Sequence, residues 1–138
     1  MLNSERSNLY RSSFKRQILP LVKIGLASEA IWVASLFVLG NEAIPLTAGI
    51  AGAVYVIGTI ADLRTTSEAI KLGATELNPL LSERPNDEEL FSKKQLILDS
   101  TFLFLGMALP PIGFTVGMHR IKLALNNSRQ ITAFLSEK

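Results

Sequence analysis

Two runs of 19 residues carry no charge, 43–61 and 100–118. At 1.5 Å of rise per residue, each is long enough as a helix to cross a hydrocarbon core about 30 Å thick. A soluble chain spreads its apolar residues at period 2 or 3.6 instead of concentrating them. Here 48% of 138 residues are apolar, 19% are charged, and the mean hydropathy is +0.29. That pattern excludes an ordinary soluble enzyme, a disulfide-stapled secreted domain and a disordered tail. There is no cysteine, which removes disulfides, thiolate catalysis and cysteine-based metal sites. The N-terminal region is basic, with Arg6, Arg11, Lys15 and Arg16. The apolar run after it contains Lys23 and Glu29, and no A-x-A pattern follows, which argues against a cleaved signal peptide.

The boundaries follow from turn chemistry. Residues 1–17 read either as a basic, interfacial segment that contacts anionic lipids rather than nucleic acid or as a solvated basic tail. A first span is expected over 18–39, ended by Gly40-Asn41-Glu42. A second runs over 43–76, with Pro45 in its first turn and Asn78-Pro79 as its stop. Residues 77–92 form a polar loop in which Asn86 or Asp87 can cap the next helix. A third apolar segment covers 91–109. Pro110-Pro111 allows either one kinked span over 95–118 or a tight turn leading to a fourth helix over 111–133. Charge favours the turn. With a cytoplasmic N-terminus and four spans, neither outer connection carries Lys or Arg. Thr115, His119, Lys122, Asn126 and Arg129 also fall on one helical stripe, with Arg120 off it. The expectation is an all-α, polytopic integral membrane protein with about four transmembrane helices in two antiparallel hairpins. Both termini and the 77–92 loop would be cytoplasmic, and the lipid bilayer would be the first partner.

The second segment is the richest in signal. Gly49, Gly52, Ala53 and Gly58 are small enough to let another backbone approach, and Gly49 and Ala53 have small-xxx-small spacing. At 100° per residue Asp62, Thr66, Ala69, Gly73 and Glu76 continue one stripe, with Gly73 as a further packing position. The pattern D-x-x-T-T-x6-G-x-x-E-x-N-P is carried by Asp62, Thr65, Thr66, Gly73, Glu76, Asn78 and Pro79. It is followed by a polar loop and a Lys-led apolar helix at Lys93 or Lys94. This combination resembles an uncharacterised family of small bacterial and archaeal membrane proteins, over about residues 45–127. The resemblance implies a compact polytopic module and names no activity.

Ionisable groups at membrane depth are the remaining candidates. Glu29, Asp62, Asp99, His119 and Lys122 would each cost several kcal/mol unpaired, about 2.5–3.5 on insertion scales, so they should face the bundle interior. With Thr65, Thr66, Glu76 and Asn78 they form the candidate ligand or ion pathway. No H-x-x-H or H-E-x-x-H spacing marks a metal site, no glycine-rich loop precedes Lys-Ser or Lys-Thr, and no cofactor is indicated. The leading functional reading is a non-enzymatic membrane module. It would pack with a partner, with itself or around a small polar ligand, using the second-segment motif and the buried carboxylates. The alternatives are a small proton- or ion-coupled transporter or channel, and then an intramembrane enzyme.

Overall fold

The computed structural model describes residues 2–76, 82 and 84–136, with side chains from Pro20 onward. The described residues are helical, with no strand among them. The elements are α1 (Leu2–Leu39), α2 (Ala43–Lys71), α3 (Asp87–Leu90), α4 (Lys93–Ala108) and α5 (Pro110–Ser136), with a 3-10 turn at Gly40–Glu42. The expected basic segment 1–17 and first span 18–39 share one helix, since α1 runs unbroken from Leu2 through Pro20.

The two tight connections work by different local chemistry. Gly40 takes φ +57°, the left-handed conformation that ends a helix cheaply only at glycine. Pro110 and Pro111 open α5, where the first N–H groups have no intrahelical partner and their loss is free. Leu109 still donates to Leu105, and Ile112 donates back to Leu109, so the turn wastes few backbone groups. The prolines therefore separate two antiparallel helices and do not kink one long span.

The stop of α2 differs from expectation. The helix ends at Lys71, not near residue 76. Gly73 adopts φ +103°. The Ala74 N–H reaches the Ala69 carbonyl at 3.0 Å and the Gly73 N–H reaches Ile70 at 2.9 Å. That paired closure is a Schellman cap. Gly73 is thus a terminator rather than a packing residue, and Glu76 lies beyond the helical stripe. Asn78 and Pro79, read as the stop, lie outside the described residues.

α2 and α5 run parallel and form the centre, with α1 against both and α4 antiparallel to both. Glycine sets the spacing. A Cβ added at Gly58 would run into the Gly117 carbonyl, and one at Gly117 would lie 2.7 Å from the backbone of Val54 and Tyr55. Gly106 and Gly113 meet backbone to backbone across the α4–α5 turn, 2.6 Å from an added Cβ to the opposing Cα. The interior of the bundle is small: Ala43, Ala51, Ala69 and Ala124 are buried with Tyr55, and Leu90 of α3 is the one large aliphatic side chain buried among the described residues. The large side chains are outside, among them Phe37 (87% exposed), Phe104 (72%) and Ile97 (67%). This reverses the soluble arrangement, in which large apolar residues fill the core. The stretch Pro20–Lys71, which contains the Gly40 turn, is long and apolar enough to cross a membrane. α4 has only 16 residues.

The expected packing stripe divides. Gly52 faces Met107 and Leu103, and Gly58 faces α5. Gly49 and Ala53 are exposed, and nothing lies within 4 Å of a Cβ placed on Gly49. Gly58→Ala and Gly117→Ala should each destabilise the bundle by about 1–3 kcal/mol through overpacking. Gly49→Ala should leave it unchanged or slightly more stable. Unfolding titrations in mixed micelles distinguish these outcomes.

Candidate functional site

Asp99 and Arg120 are equidistant from the Leu109–Pro110 junction, so an antiparallel α4–α5 hairpin brings them face to face. Arg120 Nη2 donates to Asp99 Oδ1 at 2.6 Å, with the side chains 16% and 10% exposed. The Tyr55 hydroxyl donates to the same oxygen at 3.3 Å, and Gln95 Nε2 donates to Oδ2 at 3.1 Å. The Arg120 guanidinium carbon sits 5.5 Å from the Tyr55 ring centroid, within cation–π range. One carboxylate thus collects donors from α2, α4 and α5. Removing two charges from a polar medium is expensive, and it is tolerated only when the lone pairs and N–H groups left over are satisfied, as they are around Asp99.

One and two turns further along, α2 and α5 become polar toward each other. Asn127 Nδ2 donates to Thr66 Oγ1 at 3.1 Å and Thr65 Oγ1 at 3.4 Å. Thr65 spends its own proton on the Ala61 carbonyl at 2.9 Å, so it is no nucleophile here. Asp62 is half-buried on the same side of the bundle, within electrostatic range of Arg120, Glu76 and Asp99. Its carboxylate has no hydrogen bond or ion pair among the described residues.

A second polar contact fastens the loop to the end of α2. Ser67 Oγ donates to Asp87 Oδ1 at 2.5 Å, and Lys71 Nζ donates to Oδ2 at 2.8 Å. These donors hold the Asp87 carboxyl below its ordinary range, Lys71 contributing most. Asn86 caps α3 by accepting from the Glu89 N–H at 2.8 Å. Glu89 in turn takes both the N–H and the hydroxyl of Ser82, which lowers its own carboxyl.

The candidates of the sequence reading separate by position. Asp62, Thr65, Thr66 and Asp99 gather around the α2–α5 seam. Glu29 is exposed on α1 and joins nothing there. His119 and Lys122 are half-buried on α5 but turned away from that seam. The Thr115-His119-Lys122-Asn126-Arg129 stripe is not the face of α5 that meets α2 and α4; its Thr115 lies against Gly25 of α1. That face is Gly113, Gly117, Arg120, Ala124 and Asn127, at spacings of four and three. Glu76 reaches the neighbourhood from beyond the Gly73 cap, and Asn78 lies outside the described residues. Tyr55, Gln95, Arg120 and Asn127 are additions. Their signal was present: three small residues, Gly113, Gly117 and Ala124, mark a packed face that includes Arg120 and Asn127.

Toward the Gly40 end a cavity of about 120 Å³ lies between α1, α2 and the start of α5. Ser28, Trp32, Thr47, Pro110 and Phe114 line it. The Ser28 and Thr47 hydroxyls are spent on the Ile24 and Ala43 carbonyls at 2.7 and 2.6 Å. The buried Trp32 indole N–H has no acceptor. Among the described residues no group of three His, Cys, Asp or Glu is arranged to hold a metal.

Replacing one member of the ion pair, by Asp99→Leu or Arg120→Met, should cost about 3–5 kcal/mol because it strands the other charge. The double variant should recover most of that loss. A double-mutant cycle of unfolding free energies reads the coupling directly. For Asp87 the folded carboxyl is lowered, so its contribution is complete above the unfolded value, about 3.9, and disappears as pH falls through the lower folded value. Hydrogen exchange at the Glu89 and Leu90 amides should accelerate in that acid window and should lose this pH dependence in Asp87→Asn.

No family model, curated protein or solved structure matches the chain, so its functional reading rests on this geometry.

Proposed function

We propose that the chain is a non-enzymatic, polytopic membrane module that holds a small polar ligand carrying a positive charge or a donor group. The binding site would be at the end of the α2–α5 seam nearest the 77–92 loop. Four helices would sit in the bilayer, with both termini and this end on the cytoplasmic side, where Lys93 and Lys94 lie. What supports the membrane reading is the exterior: large apolar side chains face outward along α1, α2 and α4, while glycine and alanine fill the interior.

The observation that carries the ligand reading is Asp62. Asp99 compensates Arg120 at 2.6 Å. Asp62 is then the half-buried carboxylate left without a partner, beside the Thr66 and Asn127 side chains and in range of Glu76. Burying an unpaired carboxylate is costly, and a bound cation or donor offsets that cost. Transport is less well supported. A path would need polar groups continuing toward Gly40, and there Gly117 lies against the backbone of Val54 and Tyr55, Gly113 against Gly106, and Gly52 against the Met107 and Leu103 side chains. Catalysis is less well supported at this seam, where among the described residues no serine or threonine hydroxyl bonds Asp62 or Asp99.

The test uses protein in nanodiscs, titrated with sodium, potassium, magnesium, ammonium and putrescine while thermal unfolding is followed. At least one should raise the wild-type midpoint by several degrees. Asp62→Asn should be more stable than wild type without additive and should lose the shift, while Lys122→Gln should keep it. Equal responses in wild type and Asp62→Asn would sink the ligand reading.

A further inference from the structure

The two helical hairpins do not reach the same height. Gly117 packs on Val54 and Tyr55, and α5 runs parallel to α2. This puts Pro110 and Pro111 level with Thr47 and Ala51 on α2, and with Ser28 and Trp32 on α1, all of which border one cavity. The α4–α5 turn therefore lies about 10 Å short of the Gly40–Glu42 turn. The helix lengths agree. From Ala43 to Asp62, α2 rises about 29 Å, the thickness of a hydrocarbon core. From Lys94 to its end at Ala108, α4 rises about 21 Å. Asp99 opposite Tyr55 places Lys93 and Lys94 level with the Asp62 end of that α2 segment. The shortfall is all at the other end.

Composition says which turn meets water. The Gly40-Asn41-Glu42 turn is polar. The α4–α5 turn is not: from Phe102 to Phe114 there is no polar side chain. If the bilayer ended at Pro110, the protruding tip of α1–α2 would expose Phe37 (87%), Val38 (81%), Ile44 (51%) and Leu46 (53%) to water. If it ends at Asn41, every one of these lies in hydrocarbon.

We infer that the α4–α5 hairpin stops inside the leaflet bordered by the Gly40–Glu42 turn, and that lipid hydrocarbon chains fill the notch above its turn. The inference rests on the membrane reading above. Irregular backbone at membrane depth needs its polar groups satisfied or removed. Two prolines remove two N–H groups, Leu109 and Ile112 bond locally, and Pro110 is buried against its neighbours. The cavity beside the turn is lined mainly by apolar side chains, among them Ile31, Ile50, Pro110 and Phe114, with the unpaired Trp32 indole N–H at its wall.

The chain has no cysteine, so single-cysteine variants report cleanly. Asn41→Cys, Leu109→Cys and Ile112→Cys would be placed in nanodiscs, which expose both faces, and treated with a membrane-impermeant maleimide. Leu109 and Ile112 are 44% and 42% exposed, so neither substitution opens the core. The expected result is labelling at least tenfold slower at positions 109 and 112 than at 41. A nitroxide at 109 should also be relaxed by oxygen and not by a water-soluble nickel chelate. Less than a tenfold difference would place the turn at the surface and overturn the inference. Slow labelling with a nitroxide shielded from oxygen as well would mean that protein covers the turn, which also overturns it. Failure of the membrane reading is separately visible, because the wild-type chain would then stay soluble without detergent or bilayer.

Discussion

With an added Cβ at Gly117 only 2.7 Å from the backbone of Val54 and Tyr55, α2 and α5 are closer than any side chain at that position would allow. Three consequences follow from that proximity. Asn127 can reach Thr66 with a short amide side chain. The Arg120 guanidinium is held over Tyr55 while its Nη2 reaches across to α4. Finally, α1 and α4 are excluded from the centre and pack on the flanks, so the large side chains of the chain are left pointing outward. In water such a surface would aggregate; in lipid it loses nothing, because helix association there depends on close van der Waals fit and interhelical hydrogen bonds.

The polar residues divide into two kinds under this constraint. Asp99 and Arg120 are mutually satisfied, with Tyr55 and Gln95 completing the shell, and they fix which way α4 and α5 face. Asp62, one or two turns from Arg120, is not satisfied in this way. The first pair is a registration device. In the second group Asp62 has no hydrogen bond or ion pair among the described residues, beside the Thr66–Asn127 contact. Neighbouring charges on one bundle thus differ in kind, and their hydrogen-bond partners tell them apart.

Much of this was legible before any coordinates. The Gly40 turn, the Pro110-Pro111 turn and the antiparallel sense of each hairpin follow from local backbone chemistry; Asp62 and Asp99 stand out as charges within apolar runs, and Thr66 by its place on the Asp62 stripe. Gly73 was misread because a glycine on a helical stripe and a glycine that ends the helix look alike in sequence; only the left-handed φ separates them. The α5 face was misread because polarity was used to define the stripe. In a glycine-spaced interface, size marks the inward face, and Arg120 is found there because Gly113 and Gly117 lead to it. Gly49 and Ala53 carry the spacing of an interface but point away from the helices of their own chain.

The symmetry of α4 and α5 about their proline turn has a further consequence for how this chain can change in length. Gly106 opposes Gly113 and Asp99 opposes Arg120 at equal distances from one junction. Inserting or deleting one residue between positions 99 and 120 rotates one helix by about 100° against the other and separates both pairs together. Between Asp99 and Arg120 the hairpin is therefore of fixed length.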